Sequence, residues 1–225
     1  MVTRLLIIGI STILLSSCIN KMLGETYVKS IKSSQRDVEH WYQAKGLFNH
    51  FPSSISNKSV LNFRTLYPVN MIEFSYVSYT YLFLDMGEDS QGFYPDTFLY
   101  KTYYHDCNFV MDLSFQYYLH YDTLKVRNVA QSEAYPIPYF KNYDFGLGEE
   151  RFEFLNEDNY KLVFDRHNVP EDLEVFVLRA ASGDFWKVKR ELKRPESLRE
   201  WKNGYSSGIA ISKKTNMVVY WMMAW

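Results

Sequence analysis

The run from Met217 to Trp225 contains no charged residue, and every side chain in it is apolar or aromatic. Side chains on a strand alternate between the two faces of a sheet, so a strand built from this run is apolar on both. Such a strand has to be central in its sheet or otherwise covered. Ahead of it lie the polar residues Lys213-Lys214-Thr215-Asn216 and a second apolar-rich run over 208–212. Two such runs around a short polar turn predict a C-terminal β-hairpin, with the serine-rich stretch Tyr205-Ser206-Ser207-Gly208 as the entry to it.

Nearer the N-terminus the period changes. Tyr27, Val28, Ile31, Val38, Trp41 and Tyr42 are spaced as on one face of a helix, with Lys29, Lys32, Ser33, Arg36 and Asp37 between them. The spacing predicts an amphipathic helix over 26–45 that ends at Gly46. Leu47 to Pro52 reads as a turn that tucks aromatic side chains under the helix, and 53–59 as a polar loop. Strands are expected over 71–84, 98–104, 151–155, 160–164 and 173–179, from their aromatic and β-branched content.

The most regular alternation is Phe109, Met111, Leu113, Phe115, Tyr117, Leu119 and Tyr121. Asn108, Val110, Asp112, Ser114, Gln116, Tyr118 and His120 lie between them, which predicts one buried and one wet face. The segment 87–96, with Gly87, Gly92 and Pro95, is read as a loop, and 192–201 as a short helix or an irregular loop. The segment 134–139, with Pro136 and Pro138, should be an extended connector and is the one candidate for a domain boundary. The sum is an α+β fold: an N-terminal amphipathic helix packed on a mostly antiparallel, aromatic-rich sheet that ends in a C-terminal hairpin.

The first eighteen residues belong to a different category. Arg4 supplies a positive charge, Leu5 to Leu15 form an apolar run, and Leu15-Ser16-Ser17-Cys18 closes the segment. A membrane-spanning helix takes about 20 apolar residues. This run is shorter and is interrupted by Gly9, Ser11 and Thr12. A charged start, a short apolar core and small residues before a cleavage point are instead the parts of an export signal.

With Cys18 directly behind the core, the segment resembles the signal of a bacterial lipoprotein precursor. The resemblance implies cleavage before Cys18 and lipid attachment to its thiol. It divides the chain into a signal peptide over 1–17, a lipidated tether over 18–25 and a single α+β domain over 26–225. Two acyl chains already give stable anchoring, so Cys18 would hold the protein on a membrane. Ile19 is not the Asp that retains lipoproteins at the inner membrane of enteric bacteria, and the only nearby acid is Glu25. In a two-membrane bacterium the resemblance therefore favours the outer membrane with a periplasm-facing domain; in a one-membrane bacterium it implies a domain outside the plasma membrane. The chain as a whole is similar to lipoproteins of Tyr-, Asn- and Lys-rich proteomes such as those of Bacteroidota, although the specific likeness covers only residues 1–18.

Composition narrows the partners. Formal charge is −1, with 25 basic and 26 acidic side chains. Loss of Arg4 with the signal would leave 24 basic against 26 acidic, a charge of −2. No basic excess is available to neutralise phosphates, which argues against nucleic acid. Of the two cysteines, the lipid would consume Cys18 and leave Cys107 without a partner in the chain, so burial is its expected state. Aromatic residues reach 18%, which fits a twisted sheet with aromatic-rich faces; tyrosine also suits surfaces with one apolar and one wet side.

Catalytic patterns are sparse. No pair among His40, His50, His105, His120 and His167 has metalloprotease spacing, and no Cys/His cluster suggests zinc. The sequence has no nucleophile elbow and no phosphate-binding Gly-rich loop, and no cofactor is implied. His105-Asp106-Cys107 is the densest reactive triplet, but the commoner meaning of such a triplet is an exposed turn leading to a buried thiol. The acids Glu88, Asp89, Asp144, Glu149, Glu150, Glu157 and Asp158 are the type that occupies turns.

What is left is an aromatic surface: Phe93, Tyr94, Tyr103, Tyr104, Tyr118, Tyr135, Tyr139 and Tyr143. Tyr103 with Tyr104, and Tyr117 with Tyr118, are adjacent on predicted strands, so one of each pair should face outward. These four are the candidate ligand-binding residues. The function expected is a membrane-anchored, non-enzymatic binding protein with a protein or glycan partner, of immunity type or part of an envelope complex. The alternative is a lipid-anchored hydrolase acting on glycans or peptides.

Overall fold

The computed structural model describes residues 25–55, 60–66, 77–87, 91–107, 109–112, 125–127, 135–140, 145, 153–156, 159–161, 169–187 and 196–225. Helix α1 spans 25–41. The strands are β1 (Val60–Leu66), β2 (Ser78–Asp85), β3 (Tyr100–Tyr103), β4 (Val110–Asp112), β5 (Lys125–Arg127), β6 (Ile137–Pro138), β7 (Glu153–Asn156), β8 (Asn159–Lys161), β9 (Glu174–Ser182), β10 (Gly204–Ser212) and β11 (Met217–Ala224). Six of them form one sheet in the order β1-β2-β11-β10-β9-β3, antiparallel throughout. The fold is α+β, as the pattern of periods predicts. Among the described residues no helix is long and apolar enough to cross a membrane.

The hairpin of β10 and β11 is the centre of the sheet. All eight β11 residues are buried, because β11 lies between β2 and β10 and is covered on both faces. Met217, Val219, Trp221 and Met223 point into one apolar cluster, with Tyr81 and Phe83 of β2, Val175 and Val177 of β9, and Ala210 of β10. Val218, Tyr220, Met222 and Ala224 point into the other, with Leu82, Leu84, Phe176, Ile209 and Ile211. Both clusters follow the period of two along each strand.

Helix α1 and the turn after it cover the second face. Ile31, Val38 and Tyr42 are buried there, and Tyr27, Val28 and Trp41 pack against them. Leu47, Phe48, Phe51 and Ile55 are buried beside them, so the turn does tuck its aromatic side chains against the sheet. Ser34 is buried on the same helix face, and its hydroxyl has two partners, the Ser30 carbonyl (3.0 Å) and the Thr65 hydroxyl (3.2 Å). Thr65 in turn meets the buried Thr80 at 3.1 Å. This chain of hydroxyls satisfies polar groups that would each be costly to bury alone.

The helix stops four residues before the predicted end. Tyr42 leaves it to form an isolated bridge with Trp186, and its phenol donates to the Gly204 carbonyl at 2.7 Å. Lys187 Nζ reaches back to the carbonyls of Glu39 (2.8 Å) and His40 (2.7 Å), so a distant lysine satisfies the last turn. Gly46 has φ +72, yet it opens the following turn and does not cap the helix.

The other face is closed by Phe109, Val110, Met111, Ile137, Tyr139, Phe140, Val169, Leu173 and Leu198. Two expectations fail here. The connector over 134–139 contains a strand, β6, which runs parallel to β4: Ile137 N–H donates to the Phe109 carbonyl and Tyr139 N–H to the Met111 carbonyl. Pro138, which has no N–H, falls between the two donors, so the ladder loses nothing by it. Val110, expected on a wet face, is buried, because β4 is the middle strand of the small β5-β4-β6 sheet and that sheet packs on the core. Residues 108 and 113–121 of the predicted long strand, and 71–76 of the strand predicted over 71–84, lie outside the described residues.

Smaller shifts have local reasons. Tyr205 to Gly208 leads into the hairpin as part of β10, which starts earlier than the predicted run over 208–212 because β9 continues far enough to pair with it. The segment Glu196–Lys202 is two 3-10 turns merged across Arg199, whose φ of 48 breaks the helix. Within the loop after β2, Gln91–Phe93 forms a 3-10 turn.

The β10–β11 turn is held by acids from elsewhere. Asp172 accepts from Ser212 Oγ (2.7 Å) and from the Lys214 N–H (2.8 Å), and Asp85 accepts from Asn216 Nδ2 (2.9 Å). Asn216 takes the left-handed conformation the turn needs, with φ 53. Partial burial pushes the Asp172 carboxyl upward, but the donors from Lys214 and Ser212 together outweigh it and hold the group below its ordinary 3.8. A depressed carboxyl stabilises the fold above its unfolded value and loses that contribution as the pH falls through the folded value. Asp172→Ala should therefore lower stability by about 1 kcal/mol at pH 7 and by less at pH 3. Urea unfolding at the two pH values checks this; an equal loss at both would refute the ionic origin.

Candidate interaction surface at the outer strand

β3 is the outer strand of the six-stranded sheet and, among the described residues, pairs on one side only, with β9. Its register sets Lys101 beside Phe176 and Tyr103 beside Glu174. Alternation sends Tyr100 toward the first core cluster and Lys101 and Tyr103 toward the opposite face. Of the adjacent tyrosine pair, Tyr103 is 48% exposed and Tyr104 is wholly buried. Phe98 and Leu99, just before the strand, are 46% and 52% exposed.

These residues surround a small aromatic platform. Phe98 and Tyr94 each meet the buried Phe176 edge-on, with ring centres at 5.5 and 5.7 Å. Lys101 Nζ stands 5.1 Å above the Phe176 ring and pairs with Glu174 at 2.7 Å. Lys213 Nζ stands 5.2 Å above the Tyr94 ring. Burial, then the charge of Glu174 and its hydrogen bond, raise the Tyr94 phenol above its ordinary value, so it is a neutral donor at any physiological pH. The surface thus has an apolar centre with a rim of two lysines and one glutamate. It can hold an amphipathic partner by aromatic contact and polar pairing at the rim. The Tyr103 carbonyl is taken up by the N–H groups of Asp106 and Cys107, and Lys101 sits on the strand, so the free edge is short and charged.

The other candidates fall elsewhere. Tyr104 is part of the core: its phenol accepts from the Phe140 N–H at 2.9 Å, and its ring lies 5.5 Å from that of Phe140. Phe93 and Tyr139 are also buried, which corrects their assignment to the surface. Tyr104→Phe should cost about 1–3 kcal/mol, since the buried Phe140 N–H loses this acceptor. A thermal midpoint unchanged from wild type would contradict it. Tyr117, Tyr118, Tyr143 and Cys18 lie outside the described residues.

His105 and Cys107 do follow β3 in a turn. The His105 ring, however, bonds the Val169 carbonyl at 3.1 Å through Nε2, while Cys107 is buried in the first cluster. Among the described residues no group of three His, Cys, Asp or Glu side chains could hold a metal ion. Phe98 and Leu99 were not among the sequence candidates. The signal for them was present: Phe98, Leu99 and Tyr100 are consecutive and apolar, and alternation cannot turn all three inward.

Comparison of the chain with family models, with curated proteins and with solved structures finds no match in any of the three.

Proposed function

We propose that the chain is a lipid-anchored, non-enzymatic interaction protein of the bacterial envelope, and that a partner protein docks on the margin of β3. The observation that carries this reading is the exposure of Phe98, Leu99 and Tyr103 within one short stretch of a sheet edge. A single exposed apolar residue is ordinary; a cluster with a polar rim has the make-up of a contact site. Leu15-Ser16-Ser17-Cys18 supports the anchor, and Ile19 supports the outer membrane with the domain in the periplasm.

The geometry of the sheet adds a direction. Tyr27, near the start of α1, packs edge-on against Phe63 of β1 at 5.6 Å, so the chain enters the domain beside β1. β3 is at the opposite edge, roughly 24 Å away at about 4.8 Å per strand. A tether from Cys18 to Glu25 reaches at most about 25 Å. Anchored this way, the β3 margin lies at the edge of the sheet remote from the tether, where a protein partner can reach it. The alternative of a hydrolase gains nothing from His105 and Cys107, since the ring is engaged with Val169 and the thiol is in the core.

The test is photo-crosslinking in intact envelopes, with the probe at Leu99 or Tyr103 and at Lys29 on the exposed side of α1 as the control. A discrete protein adduct from the β3 positions and none from Lys29 is expected. The absence of any adduct from β3 would overturn the contact. In parallel, Cys18→Ser should lose the lipid mass and leave the membrane fraction; unchanged mass and partition would overturn the anchor.

A further inference from the structure

The segment 46–55 covers the second face of the sheet without being part of any helix or strand. Leu47, Phe48, Phe51 and Ile55 hold it there by apolar contact. Its own backbone bonds, Asn49 N–H to Gly46 and Phe51 N–H to Phe48, close on themselves. Polar connections to the sheet are few. Arg179 Nη1 donates to the Lys45 carbonyl at 2.7 Å, and His50 Nε2 meets the Trp221 carbonyl at 3.0 Å. The His50 ring is wedged between Phe51, at 4.7 Å, and Tyr220, at 6.4 Å.

Among the described residues, no negatively charged group bears on His50. β9 offers the Arg179 guanidinium, β11 the Tyr220 phenol and the Trp221 carbonyl, and β10 the Gly208 carbonyl. The segment itself contributes only Lys45 at its base, which is exposed and also positive. Among the described residues, an imidazolium at this place would meet a guanidinium and two neutral carbonyls, and no carboxylate.

We propose that His50 is an acid-operated latch: protonation of its ring releases the segment 46–55 from the β10–β11 face and uncovers the apolar surface beneath it. In the closed state the ring is neutral and donates one N–H to the sheet. Taking up a proton while closed would put a charge on a partly buried ring next to Arg179 and Tyr220, so proton uptake favours opening. Burial is the main cause that pushes the His50 pKa from 6.5 down to about 4; the Trp221 and Gly208 carbonyls act against it, and Arg179 with it. The sign follows. The latch is at full strength above pH 6.5 and weakens as the pH falls toward about 4. The surface uncovered includes Tyr220, against which Phe51 packs, which makes acid-dependent exposure of an apolar patch the consequence.

Hydrogen exchange followed by mass spectrometry on the full chain tests this, with rates corrected for intrinsic pH dependence and α1 as the internal reference. Between pH 7 and pH 5 the protection of 46–55 relative to α1 should fall by about tenfold or more, since opening gains about half a decade from pH 7 to 6 and close to a decade from pH 6 to 5. In His50→Gln, which keeps an N–H donor and does not titrate, the ratio should stay flat. Should His50→Gln fail to fold, Arg179→Gln serves instead: without the neighbouring charge the closed state tolerates the imidazolium better, so the loss of protection between pH 7 and pH 4 should be smaller than in the wild type. A ratio that does not depend on pH in the wild type, a His50→Gln profile equal to wild type, or an Arg179→Gln loss of protection as large as that of the wild type would each overturn the latch.

Discussion

Gly208→Ala is expected to destabilise the protein by about 3 kcal/mol or more, a large share of the stability of an ordinary domain. The reason is space and not backbone conformation. A Cβ on Gly208 would overlap the Phe176 carbonyl oxygen and would lie 2.7 Å from Cζ2 and 3.0 Å from Cε2 of Trp221. The first obstacle is main chain of β9, and the second is a fully buried indole in the centre of the sheet. Neither can swing aside as a flexible surface side chain could. The register between β9 and β10 also shifts between Ser207 and Gly208, so the close approach coincides with a bulge. Accommodating a methyl would push β9 away from β10 and open the core next to Val177 and Trp221. Gly87→Ala is the control. Nothing lies within 4 Å of a Cβ there, so only the cost of φ +63 applies, about 1 kcal/mol. Urea unfolding of the two variants checks the ranking; a Gly208→Ala loss no larger than that of Gly87→Ala would refute the packing argument.

Gly208 also marks what could be read from the sequence. The hairpin around Lys213 to Asn216 was legible, because nine apolar positions in a row admit few fates and the turn residues fix the place of reversal. The central position of β11 followed from the same run. The helix was legible as a helix but not in its length. Val38 to Tyr42 keeps the apolar spacing past the last helical turn, since Tyr42 is buried by its bridge to Trp186 and not by helical packing. That bridge joins residues far apart in sequence and leaves no local signal.

Val110 and Pro138 failed for a related reason. Period and turn chemistry describe a strand in one large sheet, whereas β4 and β6 belong to a short separate sheet laid on the core. At the candidate surface, alternation correctly separates Tyr103 from Tyr104. It could not tell which aromatic residues the loops would cover, and Phe93 and Tyr139 were covered. His50 was visible only as one histidine among five. Its position over the β10–β11 pair is set by where the turn lands on the sheet, which is a tertiary fact.

Trp225→Ala should cost about 3–5 kcal/mol, comparable to the loss of any large aromatic side chain from a core. The residue is fully buried, and it joins three parts of the molecule. Its N–H and carbonyl exchange hydrogen bonds with Gly204 at 3.0 and 3.1 Å, which extends the β10–β11 ladder by one pair. Its indole Nε1 donates to the Trp201 carbonyl at 2.8 Å, and the two indole rings lie 6.1 Å apart. Trp201 belongs to the kinked 3-10 segment, and Phe109 packs edge-on against Trp201 at 6.1 Å. One side chain therefore ties the sheet to the layer that covers its first face. Trp225→Phe separates the two contributions. It keeps most of the apolar contact but removes the donor to Trp201, for an expected loss of about 1–2 kcal/mol. Hydrogen exchange adds the location: protection at Arg199 to Lys202 should fall in both variants, while that of α1, on the other face, should fall only with global stability. Equal losses in the two variants would mean that the indole hydrogen bond, and not the packing, fastens the covering layer. Unchanged exchange at Arg199 to Lys202 would mean that this layer is held by Phe109 and Leu198 without help from the last strand.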